Sequence, residues 1–264
     1  MKIYISADIE GITGVNHWDE TVLGDSEHKK FAEIMTEEIL AACDGIREFG
    51  EAEIYVKDAH DSGRNIDISK LPDDVKLIRG WTGDQYSMLQ QLNSSFDAVL
   101  FIGYHSGAGE NGNPLAHTMN TRINYFKING EMASEFHLHT FLAEELKVPV
   151  IFVSGDKMLC DRVKAYNSNI ETVAVKEGIG NGTINIAPSL SKKRIKEKVL
   201  LSMGKISLCH MEKKELFVSE INFKNHQDAR RASFYPGVKL VDEHTVSYES
   251  KSASELMRTR MFIL

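Results

Sequence analysis

The chain of 264 residues is poor in cysteine and has no long apolar run. Its three cysteines, Cys43, Cys160 and Cys209, are far apart and form no C-x-x-C pair. This argues against a thiolate zinc site and favours core thiols in a reducing compartment. No stretch of about 18 apolar residues is present, and the first residues lack the basic and apolar regions of a signal peptide. We therefore expect no membrane partner and a cytoplasmic location.

Basic charge is also scarce. The chain carries 31 Lys and Arg against 38 Asp and Glu, a net charge of −7, which argues against nucleic acid as a partner. Neither a G-x-x-x-x-G-K-[ST] loop nor a G-x-S-x-G elbow occurs, so nucleotide binding and a serine nucleophile are unsupported. The chain does contain ten histidines, which suit a metal bound by nitrogen and oxygen.

The order of predicted elements indicates an α/β fold. Strands and helices alternate through roughly the first 190 residues, and the apolar run at residues 97–103 is typical of a central parallel strand. We predict a three-layer α/β/α core with a mainly parallel sheet over residues 1–204. Residues 205–264 are predicted to form a smaller C-terminal α+β subdomain. Within the core, residues 83–92 are predicted to be helical.

Acidic and imidazole side chains follow three of the predicted strands. Asp8 and Glu10 come directly after the strand Lys2–Ala7, and an extended backbone would point both carboxylates the same way. Two adjacent carboxylates repel unless a cation or a proton lies between them. His60 follows the second strand and His105 the apolar central one. Because open α/β sheets bind ligands at the carboxyl ends of their strands, we expect these side chains to meet in one crevice.

The number of candidate ligands bears on the metal. Glu135, at the start of a helix after another strand, is a fifth candidate. Three carboxylates and two histidines exceed the three protein ligands of a usual catalytic zinc. They suit two ions about 3.5–4 Å apart that share a bridging carboxylate, for which we select Asp8. Mixed nitrogen and oxygen ligands favour zinc, then manganese or cobalt.

His117 lies in a separate loop, twelve residues after His105. From its position alone it could be a sixth ligand, a general base, a donor to an oxyanion or a loop histidine without a role.

Five short motifs resemble the zinc D-aminopeptidases of the DppA type, peptidase family M55. In order along the chain they are SADIEG at residues 6–11, DAH at 58–60, GYH at 103–105, HTM at 117–119 and the helix that begins at Glu135. The resemblance implies two zinc ions, a catalytic His117 and a ring-shaped decamer built from five-fold rings. The resemblance also implies that five residues bind the zinc ions and that Asp8 bridges them. The five ligands are Asp8, Glu10, His60, His105 and Glu135.

Four residues depart from the pattern that the resemblance leads us to expect. Lys57 stands in place of Asn, and Ser134 in place of Gly. His137 and His139 make the following helix unusual. The predicted metal ligands are unaffected, so we expect hydrolysis to be retained and the substrate preference to differ.

The sequence thus predicts a cytoplasmic dizinc aminopeptidase. It would use a metal-activated water to remove N-terminal residues from short peptides or amides. The resemblance implies that these N-terminal residues are D-amino acids. The enzyme would act as a homo-oligomer. A metal-dependent phosphoesterase is the first alternative, and it would need Arg64, Arg79 or Arg122 near the metals. The second alternative is a non-catalytic metal-binding assembly protein on an inherited fold.

Overall fold

The computed structural model describes all residues 1–264 and contains twelve strands and six α-helices. The strands are β1 (Lys2–Ala7), β2 (Glu53–Asp58), β3 (Val75–Ile78), β4 (Ala98–Tyr104), β5 (Ile123–Ile128), β6 (Glu131–Met132), β7 (Val150–Asp156), β8 (Glu171–Ile179), β9 (Gly182–Asn185), β10 (Phe217–Phe223), β11 (Lys239–Leu240) and β12 (Thr245–Ser250). The helices are α1 (His28–Phe49), α2 (Glu135–Glu145), α3 (Lys157–Tyr166), α4 (Pro188–Met203), α5 (His226–Ala232) and α6 (Ala253–Ile263).

The larger sheet has seven strands in the order β3-β2-β1-β4-β7-β8-β9. Its first six strands are parallel, and β9 pairs antiparallel at one edge. β4 and β7 are buried along their whole length, because helices cover both faces of the sheet. The predicted three-layer core with a mainly parallel sheet is confirmed.

The strand order reverses direction between β1 and β4. The chain builds outward from β1 to β2 and β3 on one side, and from β4 to β7 and β8 on the other. Such a reversal opens a crevice at the carboxyl ends of the two central strands, where open α/β sheets bind their ligands. Residues that directly follow β1 and β4 therefore lie in the best position to form a site.

The second sheet is antiparallel, in the order β11-β12-β10-β5-β6. Phe126 of β5 pairs with Ile221 of β10, and both side chains are fully buried in a second apolar core shared with α2 and α6. β5 and β6 precede residue 204, although β10, which pairs with β5, follows it. The division into residues 1–204 and 205–264 stays a prediction.

The prediction of a helix at residues 83–92 is wrong. Only a single 3-10 turn forms there, at Ser87–Leu89. Ser87 and Gln91 have φ of 51° and 68°, in the left-handed region that interrupts an α-helix. Asp84 also accepts a hydrogen bond from the backbone N–H of Tyr86, a local turn that competes with helix.

None of the helices is both long enough and apolar enough to cross a membrane. The cytoplasmic location stays a prediction.

Candidate metal centre

The crevice between the ends of β1 and β4 contains all six residues that the sequence singles out. Five of them are at most 6% exposed, although each carries an ionisable side chain. These five are Asp8, Glu10, His60, His105 and Glu135. Ionisable side chains are seldom buried unless they are paired or coordinate a metal, so this cluster requires a chemical explanation.

Asp8, Glu10 and His60 form the first group able to hold a metal ion. His60 Nδ1 lies 3.2 Å from Asp8 Oδ1 and 3.0 Å from Glu10 Oε2. The two carboxylates thus converge on one imidazole nitrogen.

Asp8, His105 and Glu135 form the second group. His105 Nε2 lies 3.6 Å from Asp8 Oδ2 and 3.6 Å from Glu135 Oε2. Asp8 is therefore common to both groups and turns one carboxylate oxygen to each. A carboxylate that bridges two metal ions needs this arrangement.

His117 lies beside the cluster and is less deeply buried. Its Nε2 is 3.6 Å from Glu135 Oε1 and 4.0 Å from Glu10 Oε1, and its ring stacks on that of His105. Glu10, His105 and His117 form a third group of suitable size. The position alone permits either a ligand or a residue that faces the substrate, so the catalytic role of His117 stays a prediction.

The three histidines share one hydrogen-bonding arrangement. In each, the ring nitrogen remote from the cluster bonds a backbone carbonyl at 2.8–2.9 Å, which leaves the near nitrogen as a lone-pair donor. The pairs are His60 Nε2 with Thr21 O, His105 Nδ1 with Ser106 O, and His117 Nδ1 with Leu115 O. Two buried atoms of the cluster, His105 Nε2 and Glu10 Oε2, have no hydrogen-bond partner at all. These lone pairs and carboxylates fit a divalent cation.

The electrostatics of the cluster also favour a cation. Burial, followed by the charge of Glu10, raises the pKa of Asp8 well above its usual range. Burial alone would lower the pKa of His105, but the carboxylates of Glu135, Glu10 and Asp8 raise it to about 9. Burial and the charge of His105 lower the pKa of His117. Without a metal the site takes up protons, so protons and metal compete for it.

Two glycines allow β1 and β4 to end this close together. Gly11 N–H donates to Gly103 O at 2.7 Å, and a Cβ on Gly11 would lie 1.8 Å from the carbonyl oxygen of Tyr104. Gly103 has a φ of +70°, and a Cβ there would lie 2.3 Å from Asp8 O. The backbone does not stay extended beyond Ala7, where β1 ends, so strand alternation is not what brings the two acids together. They converge through a turn that Gly11 makes possible.

The backbone of the turn that carries Asp8 and Glu10 is fixed by residues that were not predicted from the sequence. The carbonyl of Glu10 accepts hydrogen bonds from Asn113 Nδ2 at 2.9 Å and from the Lys176 ammonium group. Lys176 is 3% exposed, and its Nζ also reaches Val15 O at 2.7 Å. No local pattern marks these residues, because they approach Glu10 from distant parts of the chain.

Asp8, Glu10, His60 and Glu135 line one wall of a cavity of about 490 Å³, together with His117. Both tryptophans of the chain, Trp18 and Trp81, line the same cavity, together with Met88 and Met119. Asp61 is a further acidic lining residue. This wall was not predicted from the sequence, although the chain has only two tryptophans and each lies in a segment that follows a strand of the parallel sheet.

No lysine or arginine lines the cavity. Arg64, Arg79 and Arg122, the three candidates for binding a phosphate, all lie outside it. Arg122 instead pairs with Asp228, at 3.9 Å. The charged side chains around the cavity are therefore acidic, apart from the histidines.

The four residues that depart from the expected motifs lie at the start of α2 and on β2. Ser134 is the N-cap residue of α2, whose first residue is Glu135. His139 bonds the carbonyl of Glu135 through Nδ1 at 2.7 Å, and His137 Nδ1 lies 3.1 Å from Ser134 N. These three residues support the helix start that presents Glu135, but none lines the cavity. Lys57 lies on β2, next to Trp81.

Comparison with known proteins decides the family. The family model described as D-aminopeptidase, peptidase family M55, matches residues 1–262. The chain belongs to the M55 D-aminopeptidase family. Membership makes this M55 chain a peptidase, a hydrolase acting on peptide bonds, as the motifs predicted.

Two comparisons agree with this M55 assignment. The D-aminopeptidase of Bacillus subtilis (strain 168) is 29% identical over 260 residues, which are 97% of this chain and 93% of that protein. A solved structure, described as the Zn-dependent D-aminopeptidase DppA from Bacillus subtilis, a self-compartmentalizing protease, superposes with a TM-score of 0.93. It is 27% identical, and the match covers 100% of this chain and 96% of that one.

Proposed function

We propose that this M55 peptidase is a dizinc aminopeptidase that removes N-terminal D-amino acids from short peptides or amides. The observation that carries the proposal is the position of Asp8, which turns one oxygen to each of two ligand groups. The zinc is supported by the zinc-dependent relative, and the D preference by the description of the family.

The residues fit two zinc ions on chemical grounds. Asp8, Glu10 and His60 would hold one ion, and Asp8, His105 and Glu135 the other. The nitrogen and oxygen donors suit zinc, and two buried lone pairs in the cluster are otherwise unsatisfied. When bound, such ions supply Lewis acidity toward a carbonyl group and activate water as a nucleophile.

We propose the catalytic role for His117. Its Nδ1–H is committed to Leu115 O, so Nε2 faces Glu135 and the centre of the cavity. The neutral Nε2 carries no hydrogen, so it would first accept a proton from the attacking water. Once protonated, it would donate a hydrogen bond to the developing oxyanion and then pass the proton to the departing amine. Burial keeps its pKa low, which favours the neutral imidazole that can take up a proton at neutral pH.

The charge of the cavity supports a substrate with a free amino end. Asp61 lines the cavity outside the ligand groups and offers a carboxylate to a substrate ammonium group. A phosphoesterase would gain from fixed cationic side chains around the transferred phosphate, and no lysine or arginine lines this cavity. The phosphoesterase alternative is therefore less well supported.

We also propose that the chain works as a homo-oligomer, with the decameric ring as the expected form. The DppA relative is described as self-compartmentalizing. Phe234, Phe262 and Val241 are each more than half exposed, in the C-terminal part of the chain. Large apolar surface of this kind marks interaction sites in soluble proteins.

The proposed function can be tested with one substrate panel. The zinc-loaded protein is offered short peptides and amides of D- and L-amino acids beside aryl phosphoesters. We expect turnover of the peptides and amides with a free amino end, and none after the amino group is acetylated. Turnover of phosphoesters alone would contradict the proposal, and zinc binding without turnover of any substrate would favour the non-catalytic alternative.

A further inference from the structure

Lys57 occupies an unusual environment for a lysine. It is fully buried at the end of β2, three residues before His60. Its ammonium group donates to two backbone carbonyls, Asp58 O and Gly80 O, the latter at 2.7 Å. An ammonium has three N–H donors, so these two bonds leave a third direction open.

The third direction is occupied by an aromatic ring. Lys57 Nζ lies 3.9 Å from the centroid of the Trp81 ring, well within the range of a cation–π contact. Trp81 also donates from Nε1 to Asp61 O at 2.7 Å, and Asp61 follows His60 directly. The indole is thus fixed at two points to the segment that carries His60.

The rest of the indole faces the cavity. Trp81 is 43% exposed and lines the cavity together with the metal cluster, and Met88 lines it as well. An indole held in one orientation offers a large apolar surface without losing side-chain entropy when a ligand binds. A wall of this kind favours a large apolar group on the ligand.

We propose that Trp81 contacts the side chain of the substrate's N-terminal residue, and that Lys57 is the positioning residue that fixes the indole. The proposal rests on the proposed aminopeptidase function. It predicts a preference for N-terminal residues with large apolar side chains over alanine. The resemblance leads us to expect Asn in place of Lys57, and a neutral, shorter Asn would provide no such cation. The contact between Lys57 and Trp81 would therefore give this chain a substrate preference that a chain with Asn at this position would not share.

The substrate half of the proposal is tested with amides, which place a single residue in the cavity. The ratio of kcat/KM for D-leucinamide to that for D-alaninamide is measured in the wild type and in Trp81→Ala. We expect the wild-type ratio to fall about tenfold, the discrimination that one or two methylene groups provide in an apolar pocket, mainly through KM. An unchanged ratio in Trp81→Ala would overturn the assignment of this wall.

The positioning half is tested with a double-mutant cycle. Lys57→Met removes the cation and keeps the length of the side chain, and we expect the same ratio to fall about threefold, in line with the modest strength of a cation–π contact. In the Trp81→Ala background the same change should have no further effect, because Lys57 acts through Trp81. Additive effects would contradict the proposal. If Lys57→Met folds poorly, Lys57→Asn replaces it in the cycle.

Lys76→Met is the matched control. Lys76 lies on the neighbouring strand β3 and also contacts an aromatic ring, with Nζ 4.9 Å from the centroid of Tyr55, but neither residue lines the cavity. Its removal should leave the substrate ratio unchanged. An equal fall in both lysine variants would show a general effect on the sheet and would overturn the positioning role.

A fluorescence measurement separates this proposal from the aminopeptidase function. In a Trp18→Phe background Trp81 is the only tryptophan, so quenching by acrylamide reports how accessible the Trp81 indole is from solution. We expect Lys57→Met, and not Lys76→Met, to increase quenching at unchanged zinc content. Equal quenching in Lys57→Met and Lys76→Met would refute the contact between Lys57 and Trp81, even if the enzyme is active. Increased quenching with no amide turnover in the wild type would instead refute the proposed function.

Discussion

The imidazole rings of His105 and His117 stack with their centroids 4.4 Å apart and their planes 20° apart. Both rings direct Nε2 toward the carboxylate of Glu135, at 3.6 Å in each case. The two histidines are nevertheless expected to differ in function. His105 is fully enclosed and belongs to the second ligand group, whereas His117 borders the cavity where a substrate would bind.

The first prediction separates the roles of these two histidines. His117→Ala should keep both zinc ions and the melting temperature, while kcat falls by roughly 10²- to 10⁴-fold, the loss associated with an oxyanion donor or a proton shuttle. His105→Ala should lose zinc. Zinc content, measured on the same samples as kcat, decides between the roles. If His117→Ala loses a zinc ion and added zinc restores part of the rate, His117 is a ligand.

The second prediction concerns the bridging carboxylate. Asp8→Ala should abolish binding of both zinc ions, because its two oxygens serve different ligand groups. His60→Ala should chiefly weaken one ion, since His60 belongs to one group. Metal analysis after dialysis gives the stoichiometry. Asp61→Asn, a cavity residue outside the ligand groups, is the control and should retain both ions. Full occupancy in Asp8→Ala would remove Asp8 from the ligand set.

The third prediction concerns metal removal. The buried carboxylates of Asp8, Glu10 and Glu135 repel one another unless a cation is present, so a chelator should lower the melting temperature. At a zinc concentration about 100 times Kd, binding to the folded state should contribute about 2.7 kcal/mol. Differential scanning calorimetry with and without chelator measures the change. The chelator should have almost no effect on Asp8→Ala, and an equal effect on both proteins would mean that it acts elsewhere.

The fourth prediction concerns the glycine contact between β1 and β4. Gly11→Ala should destabilise the protein by about 3 kcal/mol or more, because its Cβ would overlap the backbone carbonyl of Tyr104. Chemical denaturation gives the free energy of unfolding. Gly204→Ala is the control, since the nearest atom to a Cβ there, Leu201 O, is 3.7 Å away. Similar stability losses in the two variants would contradict the proposed close approach.

The fifth prediction concerns assembly. The wild type should sediment as an oligomer at micromolar concentration, where a stable interface holds. Phe234→Glu with Phe262→Glu should weaken the assembly by placing charges on exposed apolar surface. The substitution Ile68→Glu, at an exposed position in a 3-10 turn between β2 and β3, supplies a control of the same kind. A wild-type monomer would rule out the proposed ring.

The parallel core was predictable because its signals are local. Continuous apolar runs such as residues 97–103 mark central strands, and the acids and histidines that follow them indicate the edge at which a site forms. Strand order is not local, yet it decides which strand ends meet. β1 and β4 are adjacent at the reversal, and this places Asp8 beside His105.

The parts that the sequence did not reveal depend on long-range contacts or on backbone geometry. The antiparallel sheet joins β5 to β10, about ninety residues later, and no local pattern predicts such a pairing. The helix predicted at residues 83–92 failed because two residues there adopt left-handed φ. Lys57 was recognised only as a departure, because its contact with Trp81 spans two strand ends.

The most direct test of the account measures zinc stoichiometry and stereoselectivity on one sample. Metal-free protein is titrated with zinc, and hydrolysis of D-leucinamide and L-leucinamide is followed at each step. The account predicts that activity appears with zinc, saturates at two equivalents per chain and is confined largely to the D-amide. Saturation at one equivalent, or faster hydrolysis of the L-amide, would contradict a dizinc D-aminopeptidase.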